Sequence, residues 1–289
     1  MYALTLICAG LANGALYALL ALGLVLIYKT QDVVDFAHGE LFMAGAYIGF
    51  TVYQLLGWSY PLAFVFSIAG GALLGILLEL IVIRPVVGHP HVTIAMVTVG
   101  VSYTMKGVVR LCFDSDIHTM PPVSNSSVSW GGVVIATQSL INISVAILLT
   151  VLILALFQWT RAGLRMKATQ QNPRGARVVG IDTGKIYALT WGLAAAIGAA
   201  AGFLAAPVTL VYPDMGAQFI LKAFAAAVLG GFDSVLGAIV GGFLLGVAEL
   251  LAGGYISTRL IDVASYLIII IVMIIRPQGL FGRSAVVRV

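Results

Sequence analysis

Apolar residues run along this chain in blocks too long for a water-soluble fold, separated by short breaks that carry its charges, prolines and glycines. Met1 to Tyr28 holds no Asp, Glu, Lys, Arg or His, and Leu140 to Gln158 and Ile186 to Tyr212 are again uncharged. Each reaches or approaches the roughly 18 to 20 residues that cross a bilayer. Cutting at the breaks gives segments at 2–28, 36–57, 61–83, 91–112, 139–158, 186–212, 216–231, 235–252 and 259–275. Segment 216–231 is short, contains Lys222 and ends in Gly230 and Gly231. It either crosses or is re-entrant, which is tolerated where backbone is buried in protein or lines a wet cavity. The pattern predicts an all-α polytopic membrane protein, a bundle of eight or nine transmembrane or re-entrant helices, forming a single transmembrane domain over 1–289.

Two stretches echo each other, "GGALLG" at 70–75 and "GGFLLG" at 241–246, with Glu79 following the first and Glu249 the second. If the echo marks a duplication, each half pairs it with a preceding glycine-broken segment, 36–57 in one and 216–231 in the other. Matched broken segments in two halves point to a substrate pathway at their interface. The alternative is generic helix packing, since small residues at four-residue spacing, such as Gly71 with Gly75, let backbones approach closely in lipid.

Composition agrees with the pattern: 61% of the 289 residues are hydrophobic and 9% charged, against about a quarter charged in ordinary soluble domains. The formal net charge of +4 does not imply nucleic acid, because the basic residues stand beside the apolar segments, where anionic membrane lipid and the positive-inside bias account for them. Thr160 to Lys185 carries Arg161, Arg165, Lys167, Arg174, Arg177 and Lys185 against Asp182, and Arg276, Arg283 and Arg288 lie near the C-terminus. Both regions are expected on the cytoplasmic side. The stretch at about 113–138 has acids, no Lys or Arg, and much Ser, Pro and Gly, so it is expected outside.

No catalytic set emerges. "GIDTGKI" at 180–186 has three residues between its glycines where a phosphate loop has four, and Ile186 where that loop has Ser or Thr. His89 and His91 flank Pro90 in a short polar turn and read as solvated. Cys8 and Cys112 have no ligand spacing. No metal site, catalytic residue or bound cofactor is expected, and any ATP and Mg would be used by partner subunits.

Two features invite function. In the 160–185 loop, Asn172 is a good N-cap, Pro173 suits the first helical position and Gly180 falls where a short helix would stop. A helix over about 173–179, displaying Ala176, Val178 and Val179, is suited to docking on another protein. The plainer reading is a solvated basic connector. In "VVDFAHGELF", Asp35, His38 and Glu40 adjoin an apolar run. They either cap a helix at the membrane rim, where acids favour the positive helix N-terminus, or line an inner gate, since ionisable groups at membrane depth more often face a pathway than lipid. Lys222 is too central in its segment to snorkel and is expected to face protein or water. Phe219, Phe224 and neighbouring alanines offer weakly binding apolar walls.

Four stretches in order, "NGALYALLALGLVLIYKTQDVVDFAHGELFMAGAY" (13–47), "RAGLRMKATQQNPRGARVVGI" (161–181), "LKAFAAAVLGGFDSVLGAIVGGFLLGVAE" (221–249) and "RPQGLFGR" (276–283), resemble the LivH-type permease subunits of bacterial branched-chain amino-acid ABC importers. The resemblance implies a permease domain in the bacterial inner membrane, multi-pass with a cytoplasmic C-terminus. It also implies a second, LivM-type permease, two cytoplasmic ABC ATPases and a periplasmic substrate-binding protein as partners. Coupling to the ATPases would fall on Gln171, Asn172, Pro173, Ala176, Arg177 and Gly180. Gln171 and Asn172 stand where similar loops carry acids, and Lys29 where they carry a small or apolar residue. The implied cargo is a branched-chain or other hydrophobic amino acid. Urea, short amides or aromatic acids would suit the same architecture, and an ion-coupled secondary transporter or channel is the alternative of another class.

Overall fold

The computed structural model describes residues 2–124, 126–130 and 133–282; Arg283 and Arg288 lie outside the described residues. Helices account for nearly all of it: α1 (Tyr2–Gln31), α2 (His38–Phe50), α3 (Tyr60–Leu78), α4 (His91–Phe113), α5 (Thr137–Trp159), α6 (Arg161–Gln171), α7 (Pro173–Val178), α8 (Thr183–Ala205), α9 (Met215–Gly230), α10 (Val235–Tyr255) and α11 (Leu260–Ile275). Short π-helical turns, Thr51–Leu55 and Glu79–Ile83, extend α2 and α3. Six helices among the described residues are long and apolar enough to cross a membrane, with α9 and Ser265–Ile275 as shorter apolar pieces.

The nine expected segments are all present as α1–α5 and α8–α11, but 36–57 is not the full-length span anticipated for it. The chain leaves α1 at Gln31, runs without helix through 32–37 and starts α2 inside the bundle, where the His38 ring lies against Gly23 of α1 and Gly198 of α8. The stretch 206–214 behaves in the same way before α9. The 113–138 stretch also holds an antiparallel strand pair, β1 (Ser127–Trp130) with β2 (Val133–Ala136), in the register Val128 opposite Ile135. That pair was not anticipated, because polar serines mask its short alternation.

The packing resolves the echo. α3 lies on α8 and α10 lies on α1, while α2 and α9 each join the first helix of the other half. Gly71 and Gly75 of α3 abut Ala199, Ala195 and Trp191 of α8, and Gly242 and Gly246 of α10 abut Ala18, Gly14 and Gly10 of α1. Both pairs are antiparallel, and both use the echoed glycines for the closest approach. Tyr28 meets Phe232 at 5.1 Å between ring centroids, and the Trp191 indole N–H donates to Gln31 at 2.8 Å. The end of α1 therefore shares one end of the bundle with the start of α8. The three-helix sets α1–α3 and α8–α10 are thus one arrangement used twice in opposite directions, an inverted repeat of the kind that frames transport pathways.

Between Ala12 and Ile27, α1 is buried on almost every side, and α8 is buried over most of its length. This explains why both read as apolar all round rather than amphipathic. α4 and α5 are largely exposed, presenting Val92, Met96, Ile147 and Leu148 outward, as suits lipid or a partner.

Candidate functional site

The two short helices meet at their N-termini. A side-chain carbon on Gly39 of α2 would stand 2.6 Å from the Gly216 carbonyl of α9, and one on Gly216 would strike the Gly39 carbonyl in return. Only glycine permits this reciprocal contact, which sets two positive helix ends side by side within the bundle.

Around that joint lie most of the ionisable groups picked out by sequence. Asp35, His38 and Glu40 are all buried. The Asp35 carboxylate accepts the Ala37 backbone N–H at 2.9 Å and lies 3.5 Å from His38 Nδ1. It therefore does order the turn into α2, though within the bundle rather than at its rim. Glu40 makes a 3.1 Å ion pair with Lys106 of α4. Lys106 also lies 3.8 Å from Asp214, which pairs with Arg110 at 2.7 Å. Two cations on α4 are thereby matched to one acid from each half of the repeat. Lys106 lies about two turns before the end of α4, so Glu40 sits nearer that end than the Arg84 end.

Lys222 faces protein, as its position required. Its ammonium is 2.5 Å from the fully buried Glu249 of α10 and stands over the Tyr17 ring at 5.5 Å from the centroid. Phe219 lies between Phe42 at 4.5 Å and Tyr17 at 5.9 Å, and Phe224 packs on Phe36 at 5.5 Å. The structure thus gathers Asp35, His38, Glu40, Phe219, Lys222 and Phe224 along the α2–α9 joint. Lys106, Arg110, Asp214 and Glu249 were missed. The signal for the first two was there, since Thr98, Ser102, Lys106 and Arg110 recur every four residues as a polar stripe along an apolar helix.

The second region is the 160–185 stretch. Asn172 accepts the Gly175 N–H at 2.9 Å, Pro173 opens α7, and Gly180 leaves it at φ +82°, matching the expected start and stop. α6 before it was not foreseen. Thr160 caps α6 by accepting the Gly163 N–H at 3.1 Å, and α6 packs on α1, α5 and α8. One correction concerns display: Val178 and Val179 are 87% and 74% exposed, but Ala176 is 4% exposed and faces inward. Gln171, Asn172 and Arg177 are exposed, and the Arg177 guanidinium donates to Thr183 at 3.0 Å. Beside α7, a groove of about 570 Å³ is lined by Leu164, Arg165, Ala168, residues 179–182, Lys185 and Ile186. At its edge the Lys185 backbone N–H, with the Lys185 ammonium assisting, holds the Asp182 carboxyl below the usual carboxylate range. No three His, Cys, Asp or Glu side chains among the described residues converge to hold a metal.

Residues 6–275 match the family described as branched-chain amino acid transport system / permease component. The high-affinity branched-chain amino acid transport system permease protein LivH of Escherichia coli K12 is 32% identical over 97% of this chain and 96% of its own length. BraD of Pseudomonas aeruginosa, described in the same words, is likewise 32% identical over 97% and 96%. The probable LivH of Methanocaldococcus jannaschii is 28% identical over 92% and 89%. No solved structure gives a significant match. With a bundle of apolar helices, an inverted repeat and end-to-end similarity, the chain belongs to the branched-chain amino acid transport permease family, whose members are transporter subunits.

Proposed function

We propose that this chain is one of two membrane subunits of an ATP-driven ABC importer that carries branched-chain amino acids across the bacterial inner membrane. A second, LivM-type permease completes the pathway, two ABC ATPases supply the energy from ATP and Mg, and a periplasmic binding protein delivers the cargo. The names of the relatives support the cargo. The charge distribution supports the orientation. Lys29, Arg84, Arg161, Arg165, Lys167, Arg174, Lys185 and Arg276 gather toward the end of the bundle that holds α6 and α7, which is then cytoplasmic together with the C-terminus.

The observation that carries the proposal is α7 itself. It is a capped, glycine-terminated helix projecting two bare valines beside an open groove, on a surface that nothing among the described residues covers. Exposed apolar side chains on such a stub favour burial in a partner. Asn172, Pro173 and Gly180 shape the stub, Ala176 anchors it, and Gln171, Arg177, Val178 and Val179 meet the ATPase. Asp35, His38, Glu40, Phe219, Lys222 and Phe224 belong to the pathway that the stub opens and closes.

Proteoliposomes test this directly. The four-subunit membrane complex with its binding protein is expected to accumulate labelled leucine with ATP, and the purified chain alone to accumulate none in a proton or sodium gradient. Uptake by the chain alone would establish the ion-coupled alternative. Uptake of urea or benzoate in place of leucine would overturn the cargo.

A further inference from the structure

We propose that Glu40, Lys106, Arg110 and Asp214 form the polar station for the head group of a transported α-amino acid, with its ammonium drawn to Glu40 and Asp214 and its carboxylate to Lys106 and Arg110. The proposal rests on the reading of the chain as an amino-acid permease and names where in the chain that chemistry is met.

Three observations carry it. First, the cluster is continuous and balanced: Glu40 to Lys106 at 3.1 Å, Lys106 to Asp214 at 3.8 Å and Arg110 to Asp214 at 2.7 Å give two cations and two anions in one run. Second, it is graded in exposure. The side chains are 3% exposed at Glu40, 13% at Lys106, 47% at Arg110 and 51% at Asp214, so the run opens from the bundle interior to an uncovered face. The open end lets water or a permeant reach the run, and charges at such depth are tolerated where they meet water, protein or a permeant. Third, exposed Gln218 and Leu221 follow Asp214 at helical spacing on α9, with half-buried Phe224 one turn further on. An apolar side chain thus has somewhere to lie once the head group is held.

The balance dictates selectivity. A zwitterion that enters breaks one internal pair and makes two with its own charges, a gain offset by the water that its ammonium and carboxylate must shed. Binding is therefore weak and reversible, as conduction requires. A carboxylic acid without an amine, or an amine without a carboxylate, leaves one station charge uncompensated, and urea offers no charge to exchange.

The test is a double-mutant cycle on the complete complex in proteoliposomes, scoring leucine uptake per assembled complex alongside co-purification of the subunits. Lys106→Met alone leaves the buried Glu40 carboxylate unpaired and is expected to lower assembly as well as uptake, whereas Glu40→Gln leaves Lys106 with Asp214 at 3.8 Å and should lower assembly less. The double variant removes the pair and should restore assembly. Its uptake should remain down by at least about tenfold, the factor that one lost charge-assisted hydrogen bond carries. Asp214→Asn, at a half-exposed position, is expected to assemble normally and raise KM for uptake. Recovery of wild-type uptake in the double variant would overturn the station and leave an ordinary interhelical ion pair. Absence of leucine uptake in the unaltered complex would overturn the amino-acid reading instead.

Discussion

Glu249 offers the sharpest test of how the bundle tolerates charge. Its carboxylate is fully buried, and Lys222 at 2.5 Å is its ion-pair partner, itself with a side chain 17% exposed. Lys222→Met leaves an uncompensated carboxylate among α1, α9 and α10, and breaking a buried pair from one side costs about 3–5 kcal/mol. The slight opening around Lys222 places the expectation at about 3 kcal/mol. Glu249→Gln leaves instead the ammonium, which retains some access to water and lies against the Tyr17 ring and hydroxyl. That variant should lose less, about 1–2 kcal/mol. Lys222→Met combined with Glu249→Leu removes both charges and should return to within about 1 kcal/mol of the parent, since apolar replacement of a buried pair is often neutral. Titration with a denaturing detergent, followed by circular dichroism, ranks the three. A double variant no more stable than Lys222→Met would refute the reasoning, because it would show that shape rather than unpaired charge sets the loss.

Further outcomes follow from the same geometry. Val178→Glu with Val179→Glu should change stability by no more than about 0.5 kcal/mol, as exposed substitutions do, yet abolish ATPase stimulation by loaded binding protein; intact stimulation would remove α7 from the coupling surface. Ala176→Glu, by contrast, should disorder the stub itself, read as faster amide exchange over 173–181, because its side chain points inward. Gly39→Val forces apart the α2–α9 joint and should cost about 1–3 kcal/mol or more by overpacking, measured by the same detergent titration. Asp182 caps α8 through the Lys185 N–H at 3.2 Å, and its pKa is lowered from 3.8. Its stabilising contribution is therefore present above pH 3.8 and lost as pH falls through the lower folded value. Asp182→Asn should flatten that dependence in amide exchange at Lys185.

How much of this could be read from sequence follows from the range of each signal. Helix existence was legible because apolar blocks are local, and α7 was legible because Asn172, Pro173 and Gly180 act within one turn of themselves. The start of α2 was not. "VVDFAHGE" reads equally well as a rim turn, and its depth is set by Gly39 meeting Gly216, 177 residues away. Ala176 was misjudged for the same reason, since the side of a six-residue helix that faces inward is decided by α6 and α8 rather than by the helix. Lys106 and Arg110 were passed over because two cations toward one end of an apolar segment look incidental until Glu40 and Asp214 are placed beside them.

The repeat adds a criterion that neither half provides alone. In the register that sets Gly39 against Gly216 and Gly71 against Gly242, the packing glycines correspond, and so do the helices they join. Most of the charges do not correspond. His38 and Glu40 stand opposite Met215 and Ala217, and Lys222 opposite Gly45, while buried Glu249 falls one position from buried Glu79 but takes its cation from another helix where Glu79 takes Arg84. Whatever the fold alone demands should be demanded in both halves, because both build the same contacts. Residues present in one half only, and buried at an energetic disadvantage in lipid, are held there by something the scaffold does not need. The asymmetric charges, Glu40 with Lys106 and Lys222 beside Tyr17, are therefore where a directional transporter departs from its own symmetry, and the matched glycines are where it does not.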